Sequence, residues 1–157
     1  MIFVTVGTPK YDFSRLIKKM DEVAKKKNIF MQIGNTKYVP VNCKYKRFLS
    51  RKEFENRIKK SEVIVTHAGV GSIIDVLNAK KPIVVVPRRK KLGEHVNDHQ
   101  MDITKEFEKR GLIIACYDVS GIEHSIRKSR KLKPPKRNKE RERLLNTLET
   151  FLKGVKI

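Results

Sequence analysis

The chain predicts an α/β fold, a parallel sheet wrapped by helices on both faces, with an amphipathic helix added near its C-terminus. Three observations predict it. Short apolar, β-branched runs recur at residues 2–6, 29–33, 63–66, 83–86 and 112–116. Helix-period segments separate most of them, the rhythm of crossover units in a parallel sheet. Glycines follow the first three runs, at Gly7, Gly34 and Gly69, where a strand must turn toward the next element. In such a Rossmann-like sheet the ligand crevice lies outside the C-terminal ends of the strands.

Residues 2–6 form the first strand, closed by Gly7-Thr8-Pro9. A helix follows with Phe13, Leu16, Ile17, Met20, Val23 and Ala24 on one face, and Asp12 is its expected N-cap. Residues 29–33 are the second strand. Ser50 and Glu53 form a capping box flanked by Leu49 and Phe54 at the staple positions, so a helix is expected over 51–60. Residues 63–66 are a buried strand, followed by a glycine loop and a helix over 72–80. Pro82 introduces the strand at 83–86. Val96, Ile103 and Phe107 mark the next helix, which Gly111 stops before a last strand at 112–116.

The pattern changes near residue 125, which divides the chain into a domain over 1–125 and a basic linker with a terminal helix over 126–157. Leu132-Lys-Pro-Pro-Lys-Arg137 reads as the linker. Leu144, Leu145, Leu148, Phe151 and Leu152 form one stripe, which either docks a partner or packs on its own domain.

At 157 residues with 39% hydrophobic content, the chain is one domain able to bury a core. No apolar run approaches the roughly 18 residues of a membrane span. The N-terminus lacks signal-peptide character, which gives a cytoplasmic expectation. Cys43 and Cys116 lie far apart, without metal or redox spacing. The net charge of +20 predicts an anionic partner: nucleic acid, an acidic membrane surface or an acidic protein. Residues 125–143 concentrate ten Lys/Arg against Glu140 and Glu142.

The chemistry concentrates between Val63 and Gln100. His67-Ala68-Gly69-Val70-Gly71-Ser72 carries a strand into a helix, and helix-opening N–H groups make a seat for a pyrophosphate. Asp75 either caps with Ser72 or accepts from both hydroxyls of a ribose. Glu94, His95, Asp98 and His99 invite a metal reading, but they lack the H-E-x-x-H pattern and a third histidine or cysteine. Gripping sugar hydroxyls suits them better. Nucleophile elbow, P-loop and Asp-x-Asp are all missing.

These residues resemble the soluble subunit of two-component glycosyltransferases, the Alg13-like and PssE-like proteins, and the donor half of the GT-B transferase MurG (the glycosyltransferase family 28 C-terminal domain). Four ordered motifs carry the resemblance: Val4-Thr-Val-Gly-Thr8, His67-Ala-Gly-x-Gly-Ser72, Lys81-Pro82 with Val86-Pro-Arg88, and Gly93-Glu-His-Val-x-Asp-His-Gln100. It implies a single GT-B donor-binding domain whose catalytic residues are His67 and Ser72. Its donor site would take in Gly7, Thr8, Ala68, Gly69, Gly71 and Arg88, with Glu94, His95 and Asp98. Asp75 takes the place of the family's ribose-binding Glu, His99 and Gln100 fall at the sugar, and Phe48-Leu49 meets the uracil.

The activity so implied is inverting, metal-independent transfer from a UDP-sugar such as UDP-GlcNAc to a lipid-linked acceptor. The UDP-sugar is a substrate, and no cofactor or metal is expected. The partner implied is a membrane-anchored Alg14-like or PssD-like acceptor-binding subunit, which would hold this chain at the inner face of the membrane. Basic segments could then lie on anionic headgroups. Two other readings are a regulatory subunit that lost catalysis and a nucleic-acid-binding module. The second has no recognised motif and only four Tyr and seven Phe to stack on bases.

Overall fold

The computed structural model describes residues 1–133 and 139–154. Six parallel strands form one sheet: β1 (Ile2–Thr5), β2 (Ile29–Gln32), β3 (Lys44–Lys46), β4 (Val63–His67), β5 (Ile83–Val86) and β6 (Ile114–Ala115). Their order is β3-β2-β1-β4-β5-β6. The chain builds outward from β1 in one direction, then returns to pair β4 on the other side, with Ile2 beside Val63 and Thr5 beside Thr66. Between β1 and β4 the connections diverge, and that switch point opens a crevice at the strand C-termini.

The helices are α1 (Ser14–Ala24), α2 (Arg51–Lys60), α3 (Val70–Asn78), α4 (His99–Lys109), α5 (Ile122–Lys131) and α6 (Lys139–Gly154). Alternate strand residues feed two cores, because successive side chains point to opposite faces. Val4, Met31, Val65 and Val84 meet Leu16, Ile17 and Met20 of α1 and Ile122 and Ile126 of α5. Phe3, Ile64 and Val85 meet residues of the other four helices, among them Ile73 of α3 and Phe107 of α4. Burial on both faces explains why β1, β4 and β5 read as unbroken apolar runs.

Local chemistry sets several boundaries. The capping box of α2 is complete: Glu53 N donates to Ser50 Oγ at 3.2 Å and Ser50 N to Glu53 Oε2 at 2.8 Å. The N-cap position of α1 is Phe13, and Asp12, one residue earlier, still accepts from the first helical N–H, Ser14 N, at 3.3 Å. The Asp12 carboxylate also accepts from the Ser14 hydroxyl at 2.8 Å and from Lys37 N at 2.7 Å, tying two loops together. Helix α3 starts at Val70, two residues earlier than expected. Helix α4 starts at His99, and Val96 lies outside it, 54% exposed. The last strand shortens to two residues.

Two elements were not foreseen. Strand β3 is exposed at all three positions and exists by pairing with β2. Helix α5 runs across position 125, where the domain division was expected. Its buried face carries Ile122, Ser125, Ile126 and Ser129, so half of its stripe is serine. Of the linker expected over Leu132–Arg137, Leu132 is the C-cap of α5 and residues 134–137 lie outside the described residues. Leu145 and Leu148 of α6 are buried in this chain's own core, whereas the side chains of Leu144, Phe151 and Leu152 lie outside the description. Among the described residues, no helix is long and apolar enough to cross a membrane. Cys43 and Cys116 are free thiols.

Candidate functional site

A cavity of about 500 Å³ fills the switch-point crevice. Its floor is the end of β1 and β2. Thr5 Oγ1 donates to Gln32 Oε1 at 2.9 Å, and Gly7 N donates back to Thr5 Oγ1 at 3.3 Å. Gly7 has φ +70°, a turn that a residue with a Cβ enters only with strain, and it leads to Thr8 on the cavity wall.

The opposite wall is the start of α3. Gly69 occupies the N-cap without any side-chain cap, and the first helical bond runs from Ile73 N to Gly69 O at 3.0 Å. The N–H groups of Val70, Gly71 and Ser72 precede that bond and have no partner within the helix. Gly69, Gly71 and Ser72 line the cavity. Uncapped N–H groups, a helix dipole and nearby hydroxyls form an anion seat.

His67, the last residue of β4, lies beneath this loop at 5% exposure. Burial, then the Arg88 guanidinium and His95, push its pKa down to about 3, against an opposing main-chain hydrogen bond at Thr5. The imidazole is therefore neutral at physiological pH. It can donate one N–H, and it supplies no charge.

Asp75, one turn past Ser72, also lines the cavity. Because Gly69 is the N-cap, the Ser72–Asp75 capping reading falls. The Asp75 carboxylate instead receives Arg51 in two parallel bonds, Nη1 to Oδ2 at 2.7 Å and Nη2 to Oδ1 at 2.8 Å. Leu49 lines the cavity beside Arg51, while Phe48 is 48% exposed outside it.

The residues from 88 to 100 are engaged mainly with other parts of the chain. Arg88 is fully buried, donating to the carbonyls of Val6 at 2.8 Å, Tyr11 at 3.0 Å and Glu94 at 3.2 Å. Its guanidinium also stacks on Phe13, with the central carbon 4.6 Å from the ring centroid. Burial lowers its pKa to about 10, while Glu94 and Asp12 oppose the shift. Arg88 braces three crevice segments from inside. Glu94 is equally occupied: it accepts from Arg15 Nε at 2.8 Å and Nη2 at 3.0 Å, and from Arg89 N at 3.0 Å. Gln100 Oε1 accepts from Ala68 N at 3.1 Å and Arg88 N at 3.0 Å, bolting the β4 loop to the β5 loop.

Asp98 accepts from Lys90 N, and His95 Nδ1 meets Asn97 Oδ1 at 3.1 Å. His95, Asp98 and His99 do not line the cavity. Among the described residues no three His, Cys, Asp or Glu side chains gather as a metal site. Reading the sequence missed Thr5, Gln32 and Arg51 on the cavity wall. The first two were detectable as polar residues closing apolar strands at the crevice edge. Arg51 was detectable only as the residue following a helix cap.

The glycosyltransferase family 28 C-terminal domain matches residues 1–154. The human UDP-N-acetylglucosamine transferase subunit ALG13 is 29% identical over 126 residues, which cover 73% of this chain and 11% of that protein. The chain thus spans about a tenth of that relative's length. A solution NMR structure of ALG13 superposes with a TM-score of 0.60 at 24% identity, covering 92% of this chain and 94% of that one. The crystal structure of the glycotransferase of kitacinnamycin gives a TM-score of 0.60 at 16% identity, covering 98% of this chain and 39% of that one. Both likenesses bear on the fold, and they agree with the parallel sheet described above. The match along nearly the whole sequence decides the family: this chain belongs to the glycosyltransferase family 28 C-terminal domain family.

Proposed function

We propose that this chain is the donor-binding half of a UDP-sugar transferase, taking UDP-GlcNAc in the switch-point cavity and working with a second, acceptor-binding subunit at a membrane. The observation that carries this reading is the uncapped N-terminus of α3 facing a cavity that also holds Thr8, Ser72 and Asp75. A diphosphate matches the N–H groups of residues 70–72, and a ribose diol matches Asp75. The name of the human relative supports N-acetylglucosamine as the sugar and a subunit arrangement.

Breaking the bond between the sugar and UDP leaves negative charge on the departing diphosphate. N–H groups already aimed at that position stabilise the charge without reorganising. Ser72 adds a hydroxyl donor. Neutral His67 supports the loop from below, its ring hydrogen-bonded to the Thr5 main chain. The base that deprotonates the acceptor hydroxyl belongs to the partner subunit in this reading, and no metal takes part.

Titration calorimetry with UDP, UDP-GlcNAc, UDP-glucose and ADP, each with and without EDTA, tests the donor half. Binding of UDP and UDP-GlcNAc that ignores EDTA, with ADP weak, is the expected result. Absence of UDP binding overturns the reading. Steeply salt-dependent binding to duplex nucleic acid in its place would favour the nucleic-acid alternative.

A further inference from the structure

We propose that Arg51 is a positioning residue for nucleotide recognition: clamped on Asp75 across the cavity mouth, it aims that carboxylate at the ribose diol and offsets its charge beside the proposed diphosphate position. This rests on the donor reading above.

The two residues come from different helices and meet over the cavity that both line. Two bonds at 2.7 and 2.8 Å fix the plane of the carboxylate as well as its place. The third nitrogen, Nε, is anchored on Glu55 Oε1 at 2.7 Å, one turn along α2. The guanidinium is therefore held from behind and presented forward.

The fold does not require this clamp. Arg51 is 66% exposed and Asp75 22%, and exposed ion pairs contribute little to stability. The cavity has more need of it. Asp75 stands one turn beyond Ser72, so an unpaired carboxylate there would repel the diphosphate that residues 70–72 attract. Pairing with Arg51, which also meets Glu55, reduces that repulsion. Each carboxylate oxygen keeps a lone pair after accepting from Arg51, enough to receive both ribose hydroxyls. Lysine could not substitute, because an ammonium lacks the planar fork that sets the carboxylate plane.

The test is calorimetry of wild type, R51A, R51K, D75A and R51A/D75A with UDP and 2′-deoxy-UDP. Wild type is expected to prefer UDP by about tenfold, the scale of one hydrogen bond to a charged group. R51A and R51K should lose most of that preference, and R51A/D75A should discriminate no less than D75A alone. Melting temperatures of the Arg51 variants should fall by no more than about 3 °C, the scale of an exposed pair. Full retention of ribose preference in R51A overturns the proposal. So does an equal loss for both nucleotides that adds to the D75A effect, since Arg51 would then contact phosphate directly. A much larger drop in melting temperature assigns Arg51 to the fold and also overturns it. Wild type that binds neither nucleotide removes the donor reading itself, and is seen before any variant is measured.

Discussion

The imidazole of His67 lies so close to the bare Cα of Gly69 that a Cβ added at Gly69 would overlap Nε2 of the ring. The ring is buried and packs against this glycine. A Cβ on Gly7 would meet the same nitrogen at 2.6 Å. The two glycines therefore grip the imidazole from the β1 and β4 loops, and the cavity floor depends on all three residues. Gly69→Ala should destabilise the protein by about 1–3 kcal/mol, the scale of overpacking a filled interior. Gly7→Ala should cost more, because strain at φ +70° adds to the collision. Urea unfolding checks both. Combining Gly69→Ala with His67→Ala should cost less than the two single changes summed, since the ring that Cβ strikes is gone.

His67 should make the protein acid-sensitive in a particular window. Its folded pKa of about 3 lies below the ordinary value of 6.5, so below pH 6.5 the unfolded chain binds a proton that the native state refuses. The stability is complete above pH 6.5 and drains away as pH falls toward 3. Between pH 7.5 and 5 the loss from this residue amounts to about 2 kcal/mol, at about 1.4 kcal/mol per pH unit below 6.5. Urea unfolding of wild type and His67→Gln at several pH values measures it. The variant should show a flatter profile across that window, and parallel profiles would exclude His67 as the source.

What the sequence made legible was local chemistry with one solution. The capping box at Ser50 and Glu53, the apolar runs of β1, β4 and β5, and the glycine loop after His67 each follow from neighbours in the chain. Strand β3 does not, because Lys44-Tyr45-Lys46 has no buried face and enters the sheet by pairing with β2. Helix α5 was hidden because Ser125 and Ser129 occupy its inner face, and Ser129 satisfies its hydroxyl on Ile126 O at 2.8 Å. At the site, polarity in a crevice loop was read as contact with a ligand. Arg88, Glu94 and Gln100 show the other outcome, polar groups that turn inward and satisfy main-chain atoms.

Gln100 separates these two outcomes by experiment. Its carboxamide oxygen accepts from two main-chain N–H groups, and Gln100→Leu would leave both without a partner. The expected cost is about 1–3 kcal/mol for each buried group left unpaired, read by urea unfolding. Because Ala68 directly precedes the anion seat, affinity for UDP itself should fall together with affinity for UDP-GlcNAc. A side chain that touched only the sugar would weaken UDP-GlcNAc and leave UDP unchanged. Calorimetry with the two ligands distinguishes a strut from a sugar contact.

Arg88 should be the most costly polar side chain to remove. Arg88→Met fills similar space but leaves the carbonyls of Val6, Tyr11 and Glu94 without the guanidinium that joins them. Those three carbonyls belong to the end of β1, the loop after it and the loop after β5, so one side chain holds three crevice segments in register. Each of these acceptors left buried without its donor costs about 1–3 kcal/mol. Arg88→Lys should fall between, because a single ammonium cannot span the same acceptors in a plane. The same substitution carries an independent electrostatic signature. The Arg88 charge is one of the forces that depress the His67 pKa, so Arg88→Met should raise it and reduce the acid sensitivity described above. Unfolding of Arg88→Met followed from pH 7.5 to 5 therefore reads two effects in one variant, a lower stability at every pH and a shallower loss toward acid. A variant with the lower stability and an unchanged slope would leave burial alone to account for the neutral imidazole.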